Sequence, residues 1–242
     1  MNKYILNFFI VISIFVTKNL NAVQNIEKFI GKCLKNGGVV FDIGVNVGEK
    51  TDSYLKLGAK VVSVEPQPNC IKALLKKYGK NKNVVIVDKA IGDTSGKMYM
   101  NICSSAPTIS SLSNDWISKS RFSEKYKWDQ KIEVDVITLD ELIEKFGIPS
   151  FCKIDVENFE YEVIKGLSHK IMLLSFECNI EFFDQTIKCI NWLHNLGYKK
   201  FNIGFAREES FAFNKWQNLE QITKILETKR GTKTWGDVYA WF

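Results

Sequence analysis

From Gly38 onward the chain alternates short apolar runs with longer segments whose apolar residues recur every three or four positions. Short runs rich in Val, Ile and Phe read as buried strands, and the longer periodic segments read as amphipathic helices. The pattern predicts strands at Gly38–Ile43, Lys60–Glu65, Asn83–Ala90, Phe151–Asp155, Ile171–Glu177, Lys199–Phe205 and Val238–Phe242. It predicts helices at Gln24–Leu34, Val47–Leu57, Asn69–Tyr78, Leu139–Phe146, Phe159–Leu167, Phe182–Leu196 and Leu219–Glu227. Gly58, Gly79, Gly147 and Gly197 follow four of these helices, where a residue free to turn left-handed ends the coil. Strand and helix in alternation specify an α/β fold, a mostly parallel, doubly wound sheet with helices on both faces. Two segments break the alternation. Lys97–Cys103 and Lys131–Ile137 read with period two as an inserted hairpin, and Ser104–Gln130 between them is a polar stretch spiked with Trp116, Phe122, Tyr126 and Trp128. An insertion of that length at a sheet edge predicts a lid over a substrate.

The first 22 residues follow a different pattern. Lys3 precedes an apolar run from Tyr4 to Val16, broken only by Asn7 and Ser13, and no acid occurs before Glu27. This is the pattern of a signal peptide, with Leu20-Asn21-Ala22 as a cleavage site, or of a short membrane anchor. The domain then runs over 23–242. A composition of 45% hydrophobic and 25% charged residues excludes disorder and a multi-spanning membrane protein. A net charge of +6 is too mild to argue for nucleic acid, and the four prolines at 66, 68, 107 and 149 form no Asn-Pro-Pro turn. The six cysteines form no Cys-x-x-Cys pair and the two histidines have no partner at metal-ligand spacing, so a zinc site is not expected. All six cysteines are expected reduced.

The most informative segment is Val39-Val40-Phe41-Asp42-Ile43-Gly44-Val45-Asn46-Val47-Gly48, an apolar strand running into a glycine turn and then a helix. Glycine lets backbone approach a ligand closely, and the helix start presents unpaired N–H groups. A pyrophosphate turn would read Gly-x-Gly-x-x-Gly. Counting from Gly44, Asn46 and Glu49 occupy the second and third glycine positions, which puts an acid where a phosphate would sit. Asp42 and Glu49 instead suit a cofactor with a positive centre and no phosphate, S-adenosyl-L-methionine. Glu65, ending the next strand before Pro66, is placed to accept from two ribose hydroxyls.

The motifs Phe41-Asp42-Ile43-Gly44-Val45-Asn46-Val47-Gly48, Val64-Glu65-Pro66-Gln67-Pro68, Ala90-Ile91-Gly92-Asp93, Thr138-Leu139-Asp140-Glu141-Leu142 and Lys153-Ile154-Asp155-Val156-Glu157, in this order, resemble those of the FkbM-type S-adenosylmethionine-dependent methyltransferases. The resemblance implies a class I methyltransferase-like (Rossmann-like) sheet of seven strands with an antiparallel last strand, and methylation of hydroxyl groups. It places Asp42, Gly44, Asn46 and Gly48 at the methionine end of the cofactor, Glu65 at its ribose, and Asp88 or the Lys89-Ala90 backbone at its adenine. Asn158 stands where the family has glycine, and asparagine tolerates the left-handed backbone such a turn requires.

Methyl transfer to an alcohol requires in-line positioning and removal of a proton. Asp155 and Glu177, each ending a strand at the edge where open α/β sheets bind ligands, are the candidate bases, with Glu157 and Glu160 beside them to position substrate or fix the loop. Asp155, Glu177 and Asn179 together also suit Mg²⁺, although the reading without a metal stands first. The expected activity is O-methylation of a hydroxyl-bearing glycan, lipid-linked sugar or small metabolite. A non-catalytic exported module that keeps the fold is the alternative. The cofactor is made in the cytosol, and Lys18, Lys28, Lys32 and Lys35 outnumber Lys3 across the apolar run. Both facts favour membrane association with a cytosol-facing catalytic domain over export after cleavage.

Overall fold

The computed structural model describes residues 25–34, 37–206 and 208–242. Its main sheet is built from β1 (Val39–Ile43), β2 (Lys60–Val64), β3 (Val84–Val87), β7 (Phe151–Ile154), β8 (Leu173–Asn179), β9 (Lys200–Phe205) and β10 (Trp235–Trp241). The strand order is β3-β2-β1-β7-β8-β10-β9. Neighbours from β3 to β8 pair in parallel, and β10 runs antiparallel between β8 and β9. This is the class I methyltransferase, Rossmann-like arrangement, in which β1 and β7 are the central pair and the order reverses beside them.

Strands buried on two faces are apolar at nearly every position. Phe41, Ile43, Val62, Val64, Cys152 and Ile154 point into one cluster. It is covered by α5 (Leu139–Phe146), α6 (Glu160–Lys165), α7 (Phe183–Asn195) and α8 (Leu219–Glu227). Val40, Val61, Phe151 and Leu173 point the other way, against α1 (Ile26–Leu34) and α2 (Glu49–Lys56). Toward the carboxyl ends of the strands this second face turns polar. Ser63, Asp42, Lys153, Ser175, Tyr239 and Asn202 stand in register across six strands. All six cysteines are buried.

The predicted strand Asn83–Ala90 divides in two. Val84–Val87 stays in the main sheet, where Val87 O accepts from Glu65 N. After Asp88 and Lys89 the chain passes to β4 (Ala90–Ile91), which pairs with β6 (Gln130–Ile137), itself antiparallel to β5 (Gly96–Ile102). The expected edge hairpin is therefore part of a separate three-stranded sheet, β4-β6-β5. The last strand begins at Trp235 rather than Val238, because its pairing with β8 and β9 extends further than its apolar run. The inserted segment carries a 3-10 turn, Pro107–Ile109, and an unforeseen short helix, α4 (Asn114–Lys119), capped by the Ser113 hydroxyl. Among the described residues no helix is long and apolar enough to cross a membrane. The segment 1–22 lies outside them.

Tyr198 fastens the amino end of β8 to the start of β9. Its ring is fully buried, and its hydroxyl donates to Ile171 O at 2.8 Å while accepting from Ile171 N at 3.0 Å. Tyr198→Phe leaves two buried backbone groups unpaired, and an expected cost of about 1–3 kcal/mol follows. Urea unfolding at constant m-value measures it, and an unchanged midpoint would show that water replaces the hydroxyl.

Candidate active site

The turn after β1 is set by Gly44. At φ 78° it takes a conformation other residues avoid, and a Cβ there would lie 1.8 Å from the carbonyl oxygen of Asp155. The absent side chain lets the β1 and β7 loops touch. Gly48, at φ 86°, plays a different part: a Cβ would meet the Tyr78 ring at 2.6 Å, and the Tyr78 hydroxyl donates to Gly48 O. It seats α2 against α3 (Pro68–Tyr78), and it does not line the cavity described next.

At the carboxyl ends of β1, β2 and β7 lies a cavity of about 200 Å³, an order of magnitude more than the ~15 Å³ a water needs. Asp42, Gly44, Asn46, Glu49, Glu65 and Ala90 line it, together with Asp155 and Glu157. Asp88 does not; it is exposed, and the adjoining Lys89, Ala90 and Ile91 take the cavity wall. The reason is the crossing between sheets, which brings Ala90 and Ile91 inward after Asp88 has cleared the edge. The insertion adds to the lining through residues that sequence reasoning had not singled out, Met100, Thr108, Ser110 and Leu112.

Glu65 is 2% exposed, and its two oxygens accept from the backbone N–H of Asn46 and Gln67, each at 2.9 Å. A carboxylate offers about four acceptor sites, so beyond these two backbone donors it has capacity for a further hydrogen bond from a ligand. Burial pushes its pKa up to about 7 despite those donors. Asp42, held by the Thr51 hydroxyl at 3.1 Å, is likewise raised to about 6 by burial. A site with ionisable carboxyls and no cationic side chain on Glu65 fits a ligand that brings hydroxyl donors and a positive centre. S-adenosylmethionine has both.

The candidate catalytic acids do converge. Asp155, Glu157 and Glu177 offer oxygens that all lie within 4.8 Å of one another. Asp155 and Glu157 face the cavity, and Glu177 stands behind them, outside its lining. Burial and the neighbouring carboxylates raise Glu157 and Glu177 well above the usual range. Glu160 is also raised, to about 7, by burial; its Oε1 accepts from Val156 N at 2.9 Å, so it fixes the loop. Asn179 departs from the donor set considered for a cation. Its amide oxygen accepts from Arg121 at 3.2 Å and its amide nitrogen donates to Glu177 at 3.0 Å, which leaves Glu157 as the third oxygen ligand available.

Lys153 and Asp237, to which sequence reasoning gave no role, organise this cluster. Lys153, 4% exposed, puts its ammonium 3.2 Å from Asp155 and 2.5 Å from Asp237. Burial alone would lower its pKa, but Asp155, Asp237 and Glu177 outweigh that and hold it well above the usual lysine value. The available signal was a lysine inside an otherwise apolar strand, which requires a buried partner. The loop after β7 turns left-handed at Glu157 (φ 56°) and Asn158 (φ 67°), so asparagine does serve where glycine was expected. Its side chain also donates to Ser113 of the insertion at 3.0 Å.

The insertion's aromatics do not face an acceptor as a bare platform. Trp116 is 1% exposed and packs on Phe122 and Phe182, and the Trp116 and Trp128 ring nitrogens both donate to Ile109 O. Arg121 is engaged by Glu181, Asn179 and the Lys233 carbonyl. The lid packs its own aromatics because an indole buried with its N–H satisfied is more stable than one stacked against water.

The family model described as Methyltransferase FkbM domain matches residues 42–200. The chain belongs to the FkbM methyltransferase family. It is therefore an S-adenosylmethionine-dependent methyltransferase. No curated protein matches at a significant level. Similar solved structures include precorrin-6Y C5,15-methyltransferase from Geobacter metallireducens, at 13% identity over 93% of each chain with a TM-score of 0.47. Aeropyrum pernix fibrillarin with bound S-adenosyl-L-methionine is 9% identical over 86% of this chain and 67% of its own, TM-score 0.43. An rRNA methylase from Streptococcus thermophilus is 12% identical over 89% and 93%, TM-score 0.44.

The raised carboxyls of this FkbM domain make its stability depend on pH. Asp42, Glu65 and Glu160 bind protons more tightly folded than unfolded, so their contribution is complete below about pH 4 and is lost as pH rises through 6 and 7. The expected outcome is a melting temperature of the cofactor-free protein that falls over that interval and falls less in Glu65→Gln. A flat profile would mean these carboxyls are hydrated.

Proposed function

We propose that this FkbM methyltransferase methylates a hydroxyl oxygen of a glycan or small-molecule acceptor, with Asp155 as the group that receives the proton. What supports the reading is the carboxylate cluster of Asp155, Glu157 and Glu177 at one wall of the cavity, the wall opposite Glu65 along the strand edge. Bound S-adenosylmethionine supplies an electrophilic methyl on a sulfonium sulfur. With that group held there, Asp155 would take the proton that the acceptor hydroxyl gives up as its oxygen gains the methyl, the electron pair of the broken carbon–sulfur bond remaining on sulfur. Asp155 is half in the cavity and half against Lys153, with 37% of its side chain exposed, so it is reachable and oriented. Glu177, close behind, accepts the Asn179 amide and fixes the back of the cluster. Glu157 positions the acceptor, Glu65 holds the ribose hydroxyls, Asp42, Gly44 and Asn46 adjoin the methionine end, and the Ala90 backbone meets the adenine.

A second arrangement draws on the same oxygens. Asp155, Glu157 and Glu177 together could hold Mg²⁺, which would acidify the hydroxyl directly. Chelation distinguishes the two: turnover unchanged by chelator supports the base, and turnover abolished and restored by Mg²⁺ supports the ion. Identification of the labelled product after incubation with labelled cofactor and a glycan and metabolite extract tests the acceptor class. A product methylated on nitrogen or carbon would overturn O-transfer.

Asp155→Asn preserves size and removes the charge. It is expected to lower kcat by about 10²–10⁴-fold with little change in cofactor affinity, and full activity would exclude both roles. Glu65→Ala is expected to weaken cofactor binding by about 1.5–3 kcal/mol through loss of a charged acceptor. Calorimetric titration of the folded variant measures it, and wild-type affinity would remove Glu65 from the cofactor site.

A further inference from the structure

The two ends of the main sheet differ in charge. The carboxyl ends of the strands carry the acids described above. At the amino ends, the connecting segments 57–60, 79–83, 147–150, 169–172 and 196–200 contain six lysines and no carboxylate: Lys60, Lys80, Lys82, Lys170, Lys199 and Lys200. All six are exposed, and none forms an ion pair among the described residues. Six charges equal the net charge of the whole chain, +6.

The same end exposes large apolar side chains. Ile148 precedes β7 and is 56% exposed, Met172 precedes β8 at 45%, and Phe242 follows β10 at 49%. The last two are tied together, since Phe242 N donates to Met172 O at 3.1 Å. Lysine and apolar surface also interleave directly. The Lys170 ammonium lies 4.2 Å from the Phe242 ring centre, and that of Lys200 lies 4.2 Å from the ring of Trp241. The topology produces this arrangement: β10 is antiparallel, so its carboxyl end comes down among the amino ends of β8 and β9.

We propose that this amino-end face docks on an anionic lipid surface. Lysines on flexible stems reach the phosphate layer while the apolar side chains between them enter the boundary with the acyl chains. Apolar groups of that size have no counterpart on a nucleic-acid backbone, and none of the six cations is the arginine that bidentate phosphate or base recognition favours. Docked this way, the sheet stands with its cavity at the far end from the bilayer, so the acceptor enters from water. The inference is independent of which atom is methylated.

Flotation of the full-length protein with vesicles tests it. Vesicles of phosphatidylcholine containing about one-third phosphatidylglycerol are compared with phosphatidylcholine alone. Wild-type protein is expected to bind the anionic vesicles at least about tenfold more strongly, with binding falling as salt rises. Lys199→Ala/Lys200→Ala and Lys80→Ala/Lys82→Ala, in separate loops, are each expected to reduce partitioning by about 30-fold, at the usual contribution of a lysine near the surface. Phe242→Ala reduces it further. Unchanged S-adenosylmethionine binding shows that the variants are folded. Equal binding to both vesicle types, or binding unaffected by both double variants, overturns the proposal, because segment 1–22 is present throughout and would then account for the association. Variants that lose RNA binding while keeping vesicle binding overturn it in favour of a nucleic-acid surface.

Discussion

The ammonium of Lys153 is withdrawn from water in a central strand, and the pairing that this forces organises the carboxyl end of the sheet. An isolated buried charge costs several kcal/mol, so the strand can carry it only if carboxylates arrive from elsewhere. They arrive from two directions, Asp155 just past the end of β7 and Asp237 from the antiparallel last strand. The ion pairs thus tie the parallel half of the sheet to β10, whose insertion beside β8 also sets Asp237 opposite Glu177. Without Lys153 the cluster of Asp155, Glu157 and Glu177 would be mutual repulsion with no compensating charge. With it, one carboxylate can face the cavity while its neighbours remain protonated or hydrogen-bonded.

The lid depends on that edge as well. Arg121 reaches from the insertion to Glu181, Asn179 and the Lys233 carbonyl, and Asn179 in turn donates to Glu177. Ser111 donates to Glu157 O, and Asn158 donates to Ser113. The roof over the cavity and the acidic wall are therefore joined by hydrogen bonds through both loops. Trp116 is buried against Phe122 and Phe182, and Thr108, Ser110 and Leu112 of the same insertion line the cavity.

The division of labour between the sheet's ends follows from the fold. In a doubly wound sheet the carboxyl ends collect loops that open outward and can hold ligands, whereas the amino ends are closed by tight turns. Here the tight turns carry lysines and a few apolar side chains, and the open loops carry carboxylates. The two ends of a single α/β scaffold thereby carry different side chains.

Much of this was readable in the order of residues. The alternation of apolar runs with helical periodicity determined the sheet and its helices, since burial on two faces leaves little choice of composition. Gly44 and Glu65 were legible because a close backbone approach and a strand-end carboxylate are local requirements. Asp155 and Glu177 were legible because strand ends of one sheet fall at one edge. What the sequence could not decide were the partners contributed by distant segments. Asp237 as the counter-ion of Lys153, the crossing after Asp88 that moves it off the cavity wall, and the burial of Trp116 all depend on which strand lies beside which. That choice comes from tertiary packing, because β1 pairs with β7 and β8 with β10, which are not consecutive in the chain, and no local pattern encodes those two pairings.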